Sequence, residues 1–215
     1  MRFNSSDSTL EKKGDSAVSE SPRYGMVVDL RKCIGCHACS VACKAELGVP
    51  LGVFRMWVKQ VEIGFYPNVV TASLPSLCNQ CSNPICLQNC PTRATYQLEN
   101  GIVVVDPHRC IGCKYCIASC PYNVRHINPL KKIVQKCEFC LHRVEAGLEP
   151  ACVNTCPTGA LIFGDLNDHK SQVSDIIIRN AVQVLKPDRG TFPQVYYVGA
   201  NMLLMEARGP VGGEE

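Results

Sequence analysis

Sixteen of the 215 residues are cysteine, and they fall into four groups of four along the chain. The groups are Cys33, Cys36, Cys39 and Cys43; Cys78, Cys81, Cys86 and Cys90; Cys110, Cys113, Cys116 and Cys120; and Cys137, Cys140, Cys152 and Cys156. The first and third groups have the spacing C-x2-C-x2-C-x3-C, which holds [4Fe–4S] clusters in bacterial ferredoxins. Sixteen thiolates are enough for four such clusters, so the pattern predicts a protein that carries electrons.

Three other uses of cysteine fit the pattern less well. Disulfide frameworks are typical of small secreted chains, whereas these cysteines recur at fixed short spacings in a chain with no cleavable apolar signal. Structural zinc sites join two separated C-x2-C pairs, and the first and third groups leave too little loop for one zinc ion to use all four thiolates. A catalytic cysteine needs one activated thiolate beside a base, and nothing distinguishes a single thiol here.

The charge of the chain is consistent with buried anionic clusters. The formal net charge is +3 with cysteine counted as neutral, and four oxidised clusters with their thiolates would make it negative. Basic residues beside the cysteine groups can offset this charge and raise reduction potentials, while others are ordinary surface charges. These basic residues are Lys32, Lys44, Arg93, Arg109, Lys114, Arg125, Lys136 and Arg143. Neither role indicates a nucleic-acid partner.

The cysteine groups belong to an internal repeat. The first and third groups begin in matching segments, Arg31–Cys36 and His108–Cys113, and each follows a short β-type run. The second and fourth groups end in a different shared motif, Cys90–Ala94 and Cys156–Ala160, and each precedes a β-type run. The alternation of two motif types predicts two modules, each built from one group of either type.

An Asn-Gly dipeptide lies between the second and third groups. It separates the β-type runs Thr95–Leu98 and Ile102–Asp106, which predicts a hairpin. The outer runs Met26–Asp29 and Leu161–Phe163 can pair to close a second unit from the two ends of the chain. We therefore predict an α+β, loop-rich fold of two ferredoxin-like modules with short β-hairpins. One module is continuous, the other is split around it, and four iron–sulfur clusters hold them.

This architecture divides the chain into four parts. They are a disordered polar tail over residues 1–22, a split module over 23–76 with 137–165, a continuous module over 77–136, and a C-terminal extension over 166–215 that docks a partner. In the extension, Ser171–Asn180 is expected to be helical and Gln194–Val198 extended. The segment Ala45–Ser76, which holds the only tryptophan, Trp57, is expected to be a long loop.

Each cluster is predicted to take its ligands from two groups, because the fourth cysteine of a motif in two-cluster ferredoxins binds the other cluster. Set 1 consists of Cys33, Cys36, Cys39 and Cys156, and set 2 consists of Cys137, Cys140, Cys152 and Cys43. Set 3 consists of Cys78, Cys81, Cys86 and Cys120, and set 4 consists of Cys110, Cys113, Cys116 and Cys90. Because the two groups of a pair exchange their fourth cysteines, the two clusters lie close together, as electron hopping requires. Metal–thiolate bonds then supply much of the folding free energy, so the apo-protein is expected to lose its native fold. No catalytic residue is predicted.

The motifs resemble those of the four-cluster iron–sulfur subunits in the DMSO reductase superfamily of molybdopterin oxidoreductases. The matching segments are Asp29–Cys36, Leu77–Cys81, Gly101–Asp106, Cys120–Tyr122, Lys136–Arg143 and Pro150–Val153. All four spacings agree in order, and the subunits of polysulfide, tetrathionate and arsenate reductases are the most similar. Some relatives replace one cysteine of the third group, whereas this chain keeps all four, so four [4Fe–4S] clusters are expected.

The resemblance implies an electron-transfer subunit with no catalytic site of its own. Such subunits relay electrons between a large molybdenum or tungsten molybdopterin subunit and an integral membrane quinone-reactive subunit. They are often exported with a twin-arginine partner, which would place this chain on the periplasmic face of the inner membrane, although a cytoplasmic-facing complex would share these sequence features. No run in the chain approaches the roughly 20 apolar residues of a membrane span. The alternative function is a polyferredoxin-type wiring subunit of a hydrogenase or another redox complex.

Overall fold

The computed structural model describes residues 21–201 and residue 205, so the tail predicted over residues 1–22 lies almost wholly outside the described residues. The strands are β1 (Tyr24–Asp29), β2 (Met56–Phe65), β3 (Asn68–Leu77), β4 (Thr95–Gln97), β5 (Val103–Val105), β6 (His126–Ile127), β7 (Val134–Gln135), β8 (Leu161–Asp165), β9 (Val182–Gln183) and β10 (Val195–Val198). The helices are α1 (Ala38–Leu47), α2 (Ile85–Gln88), α3 (Tyr115–Ala118), α4 (Leu141–Glu145), α5 (Ala151–Asn154) and α6 (Gln172–Arg179), and a 3-10 turn spans Pro187–Arg189.

A four-stranded sheet of order β8–β1–β10–β9 brings together strands that are far apart in the sequence. Strand β1 runs antiparallel to β8 and parallel to β10. Successive side chains of a strand point to opposite faces, and both faces of β1 are covered. Val27 packs with Val173 of α6, while Met26 and Val28 belong to the main core on the other face. Burial on both faces explains the uninterrupted apolar run of β1.

Two strand pairings that the sequence predicts are confirmed. Met26, Val27 and Val28 of β1 lie opposite Phe163, Ile162 and Leu161 of β8. Strands β4 and β5 form the hairpin around the Asn-Gly dipeptide, where the Asn100 side chain accepts a hydrogen bond from the Ile102 amide at 3.0 Å. Gly101 adopts φ +82° in this turn, a conformation that glycine reaches without steric cost.

The prediction of a long loop over Ala45–Ser76 is wrong. Most of this segment forms an antiparallel hairpin of β2 and β3, two strands of ten residues each. Val58 and Leu74 are buried near its base, Trp57 is partly buried against the core, and the outer half is mostly exposed. Val61 and Ile63 pack partly against the core and alternate with the exposed Gln60 and Glu62, so β2 does carry the alternation of a half-buried strand. Beyond Ile63 the hairpin is exposed, and its pairing rests on the backbone ladder.

The C-terminal part of the described chain packs onto the sheet. The predicted helix is present as α6, and Ser171 caps it by accepting a hydrogen bond from the Ser174 amide at 3.2 Å. The predicted strand is β10, which pairs with β1 on one side and β9 on the other. Residues after 166 therefore complete the four-stranded sheet.

The main core contains cysteine thiols as well as ordinary apolar side chains. Its buried residues include Met26, Leu77, Ile102, Phe139 and Tyr197, and also five cysteines: Cys39, Cys43, Cys78, Cys137 and Cys152. Small sheets and short helices linked by loops confirm the mixed α+β, loop-rich class. Within residues 21–201, the structure contains no helix long and apolar enough to cross a bilayer.

Candidate iron–sulfur centres

The loops of the first and third cysteine groups have the same backbone conformation. Gly35 and Gly112 adopt φ +68° and +67° between the first two cysteines of their groups. His37 and Lys114 then adopt φ +59° and +65° directly before helices α1 and α3. Successive left-handed positions curl the backbone tightly, which brings amide groups and thiols to one side of the loop. The sequence repeat is therefore a structural repeat.

The last cysteines of the second and fourth groups also share one environment. The Ala94 amide donates a hydrogen bond to Cys90 Sγ at 3.2 Å, and the Ala160 amide donates to Cys156 Sγ at 3.3 Å. Burial acts to raise the pKa of both thiols, but backbone amides and a threonine hydroxyl outweigh it and hold each pKa below the ordinary value. The motif Cys-Pro-Thr-x-Ala is thus a turn that stabilises a thiolate.

Sets 1 and 3 each surround a single cavity. Set 1 lines one cavity with all four of its members, Cys33, Cys36, Cys39 and Cys156. Set 3 lines another with all four of its members, Cys78, Cys81, Cys86 and Cys120. In each set, three cysteines come from one group and the fourth comes from a group distant in the sequence. The structure therefore brings these eight residues together in the combinations that the ferredoxin exchange predicts.

Sets 2 and 4 are brought together less completely. All four thiols of set 2 are buried. Cys152 lies within electrostatic range of Cys140 and Cys43. Cys137 lies within electrostatic range of Cys43 and Cys152. In set 4, Cys116 lies within range of Cys110 and Cys90. The fourth member of set 4, Cys113, is exposed.

Neighbouring sets approach one another in a fixed order. Cys152 of set 2 lies within electrostatic range of Cys39 of set 1, and Cys137 of set 2 lies within range of Cys78 of set 3. Between sets 3 and 4 lies the guanidinium of Arg125, which interacts with thiols of both. The sets are therefore arranged as a row, from set 1 through sets 2 and 3 to set 4.

The two ends of the row reach the surface. Cys36 of set 1 and Cys113 of set 4 are exposed, whereas set 2 is buried throughout. An isoleucine lies beside each exposed cysteine, and Ile34 and Ile111 are 67% and 68% exposed. Exposed apolar side chains beside a thiol are suited to contact with another protein.

The chemistry of the thiols fits clusters better than single ions. All sixteen cysteines are free thiols, and the described part of the chain contains no group of three or more His, Cys, Asp or Glu side chains spaced to hold one metal ion. Burial raises the pKa of Cys39 and Cys43 to about 11 and of Cys81 to about 12. Such thiols need cations to replace their protons, and thiols set around a cavity match the larger span of a [4Fe–4S] unit.

Gln80 is a site residue that the sequence motifs did not reveal. Its side chain is buried, its Nε2 donates to the carbonyl oxygen of Cys137 at 2.8 Å, and its Oε1 accepts from the Val103 amide at 2.8 Å. The residue thus connects the loop of set 3, Cys137 of set 2 and strand β5. Its position between Cys78 and Cys81 is the available signal, because a side chain in so short a loop has little room to point away from the site.

Comparison with known proteins gives consistent matches. Residues 69–166 match the model of a 4Fe-4S dicluster domain family. The chain is 49% identical over 181 residues to the B subunit of tetrathionate reductase from Salmonella typhimurium, an alignment that covers 82% of this chain and 72% of that protein. It is 42% identical over 183 residues to the B subunit of polysulfide reductase from Wolinella succinogenes, with 82% and 94% covered. It is 39% identical over 206 residues to the B subunit of selenate reductase from Mesobacillus selenatarsenatis, with 80% and 70% covered.

These similarities confirm the resemblance drawn from the motifs and the assignment of [4Fe–4S] clusters as cofactors. They support a role in electron transfer without a catalytic site, and they do not support the hydrogenase wiring alternative. The protein belongs to the iron–sulfur electron-transfer subunits of the molybdopterin oxidoreductases in the DMSO reductase superfamily.

Proposed function

We propose that this chain relays electrons along four [4Fe–4S] clusters between a large molybdopterin subunit, containing molybdenum or tungsten, and an integral membrane quinone-reactive subunit in anaerobic respiration. The observation that carries the proposal is the row of four cysteine sets, in which set 2 is buried throughout and one cysteine of each end set, Cys36 or Cys113, is exposed. A row of this kind accepts an electron at one surface and delivers it at another. Each end then faces one partner subunit.

The proposed ligands are the four predicted sets. Sets 1 and 3 are supported by the cavities that their members share, and set 2 by the mutual proximity of its buried thiols. Set 4 is supported by the proximity of Cys90 and Cys110 to Cys116 and by the structural repeat that makes the third group equivalent to the first. The chain supplies iron ligands, amide donors to sulfur, and a packed protein surround that limits access of water.

The proposed architecture is two ferredoxin-like modules, a split one over residues 23–76 with 137–165 and a continuous one over 77–136. The β4–β5 hairpin between the second and third groups and the pairing of β1 with β8 support this division. We assign residues 166–215 to contact with a partner subunit. The exposed side chains of Ile178 and Phe192 on the described part of this segment support that assignment.

For location, we propose the periplasmic face of the inner membrane, with export alongside a twin-arginine partner. Membership in a family whose relatives are reductase subunits supports association with a membrane complex. The cytoplasmic face is the alternative. Protease protection of the chain in spheroplasts separates the two, because only a periplasmic subunit is cleaved by protease added outside.

Anaerobic affinity purification of the tagged chain tests the proposed complex. The expected preparation contains a large pterin-bearing subunit, a membrane subunit, and about sixteen irons for each copy of this chain. Recovery of the chain with iron but without a pterin-bearing partner would overturn the respiratory role while leaving the clusters in place.

A substitution at the end of the row tests the relay itself. Cys113→Ser is expected to alter set 4 and to abolish quinone-linked turnover, while turnover with a soluble dye that reacts directly at the large subunit persists. Ala118→Ser is the matched control, because Ala118 is exposed at the end of helix α3, which follows Cys113, and belongs to no proposed ligand set. Unchanged quinone-linked turnover in the Cys113 variant would show that set 4 lies off the route.

A further inference from the structure

Two of the eight basic residues near the cysteine groups are buried, and only one of these two donates a hydrogen bond to sulfur. Lys136 and Arg125 are buried, whereas Arg93, Arg109 and Lys114 are exposed. The Lys136 ammonium donates to the backbone carbonyl oxygens of Val103 and Cys137. The guanidinium of Arg125 instead reaches the thiols themselves, so the two buried cations have different surroundings.

Arg125 lies between sets 3 and 4 and contacts a member of each. Its Nη2 donates to Cys86 Sγ of set 3 at 2.8 Å, and the guanidinium also interacts with the thiol of Cys116 in set 4. Its Nη1 lies 3.4 Å from the hydroxyl of Thr95, which orients the fork. The planar guanidinium has donors pointing in several directions, so one side chain can serve two sulfurs at once.

Among the residues that the structure describes, Arg125 has no counter-ion other than these sulfurs. The side chain is 4% exposed, and no Asp or Glu in the described residues forms an ion pair with it. Burying an unpaired cation costs several kcal/mol in typical proteins, so a compensating negative charge is required. The thiolates of sets 3 and 4 are the negative groups in range, namely Cys86, Cys78, Cys116 and Cys120.

We propose that Arg125 is a shared positioning residue that raises the reduction potentials of the clusters in sets 3 and 4 together. The inference rests on the proposed ligand sets. Reduction of either cluster adds one electron and one negative charge beside the guanidinium, and no bond is formed or broken. A buried cation stabilises that added charge more strongly than a solvated one does. Because both clusters share one cation, their potentials are raised in common and the difference between them is largely kept.

The proposal is tested by redox titration of the purified complex, followed by electron paramagnetic resonance. Cys81→Ser and Cys113→Ser first assign the signals of sets 3 and 4. Arg125→Gln is then expected to lower the equilibrium constant for reduction of both clusters by at least tenfold, which is about 59 mV for a one-electron couple. The potentials of sets 1 and 2 are expected to stay unchanged. Arg109→Gln is the matched control, because Arg109 carries the same charge beside Cys110 but is exposed to water.

Iron content and recovery of the pterin-bearing subunit are measured on the same sample, which separates failure of this inference from failure of the proposed function. Four intact clusters with unchanged potentials in Arg125→Gln would overturn the role of Arg125. An equal shift in the reduction potentials of all four clusters would also overturn the role of Arg125, since it would indicate a general structural change.

A second variant keeps the proposal testable if Arg125→Gln does not assemble. Arg125→Lys retains the charge, but an ammonium is a compact point charge without the fork that reaches both sulfurs. The potentials of sets 3 and 4 are therefore expected to separate, with one close to the wild-type value and the other lower. Identical wild-type potentials for both sets in this variant would show that the shared guanidinium is not required.

Discussion

The side-chain amide of Gln80 donates a hydrogen bond to the carbonyl oxygen of Cys137, and the two atoms lie 2.8 Å apart. The same side chain accepts from the Val103 amide of β5, also at 2.8 Å. The bond joins the loop that holds three members of set 3 to Cys137, the first cysteine of the fourth group and a member of set 2. The distance between these two sets therefore depends on one buried amide as well as on the thiols.

Gln80→Leu is expected to destabilise the cluster-bound protein by about 1–3 kcal/mol. Leucine has a similar size but cannot accept the Val103 amide hydrogen bond, and an unsatisfied buried donor costs this amount. The Cys137 carbonyl keeps its bond from Lys136, so the loss is confined to one donor. The measurement is the denaturant concentration at which absorbance at about 400 nm is lost. Gln88→Leu, at an exposed glutamine on α2, is expected to behave as wild type, and equal midpoints for the two variants would contradict the role of Gln80.

Gly112→Ala is expected to damage set 4 more than conformational strain alone would. Gly112 adopts φ +67°, and an added Cβ would collide with the backbone oxygen of Lys132, which cannot move as a free side chain can. The left-handed conformation costs a non-glycine residue about 1–2 kcal/mol, and overpacking adds about 1–3 kcal/mol. The readout is the iron content and the set 4 signal of the purified variant.

Gly147→Ala is the control that isolates conformational strain from collision. Gly147 has φ +74°, and a Cβ there would meet nothing within 4 Å. This variant is expected to lose only the conformational part of the stability and to keep all of its iron. If Gly112→Ala and Gly147→Ala lost stability equally, the close approach of Lys132 would have no consequence.

Iron is expected to leave the ends of the row before the middle. Cys36 of set 1 and Cys113 of set 4 are exposed, whereas Cys43, Cys137 and the rest of set 2 are buried. A chelator added to the oxidised holo-protein should therefore remove iron in at least two phases, with the set 1 and set 4 signals lost first. A single phase that affected all four sets equally would indicate that cluster loss requires unfolding of the whole chain.

Complete removal of iron is expected to unfold the native structure. Desolvation raises the pKa values of the Cys39, Cys43 and Cys81 thiols, so the emptied sites hold neutral thiols that no longer bind elements together. Amide hydrogen exchange before and after chelation measures the effect, and the amides of β4 and β5 are expected to lose protection. Slow exchange in these strands without iron would show that side-chain packing alone maintains the fold.

The cysteine spacing by itself determined the cofactor, the number of clusters and the electron-transfer role. Closely spaced cysteines identify a cluster site because a loop as short as Cys110–Cys116 can place its thiols around one metal centre and allows few other arrangements of them. The Asn-Gly turn and the flanking apolar runs likewise identified the β4–β5 hairpin from local chemistry alone. The pairing of β1 with β8 followed from the internal repeat.

Only the tertiary structure decided which of the other residues matter. Sequence could not separate Arg125 from seven other basic residues, because burial depends on what packs around a side chain and all eight lie near cysteines. It also missed the β2–β3 hairpin, because the second strand is exposed over residues 68–71 and contains Pro75, which weakens the strand pattern. The place of β10 beside β1 was missed too, since parallel pairing joins residues far apart in the chain. Local sequence patterns identify cysteine groups and turns, whereas the order of the four cysteine sets and the position of Arg125 between sets 3 and 4 depend on contacts between distant segments.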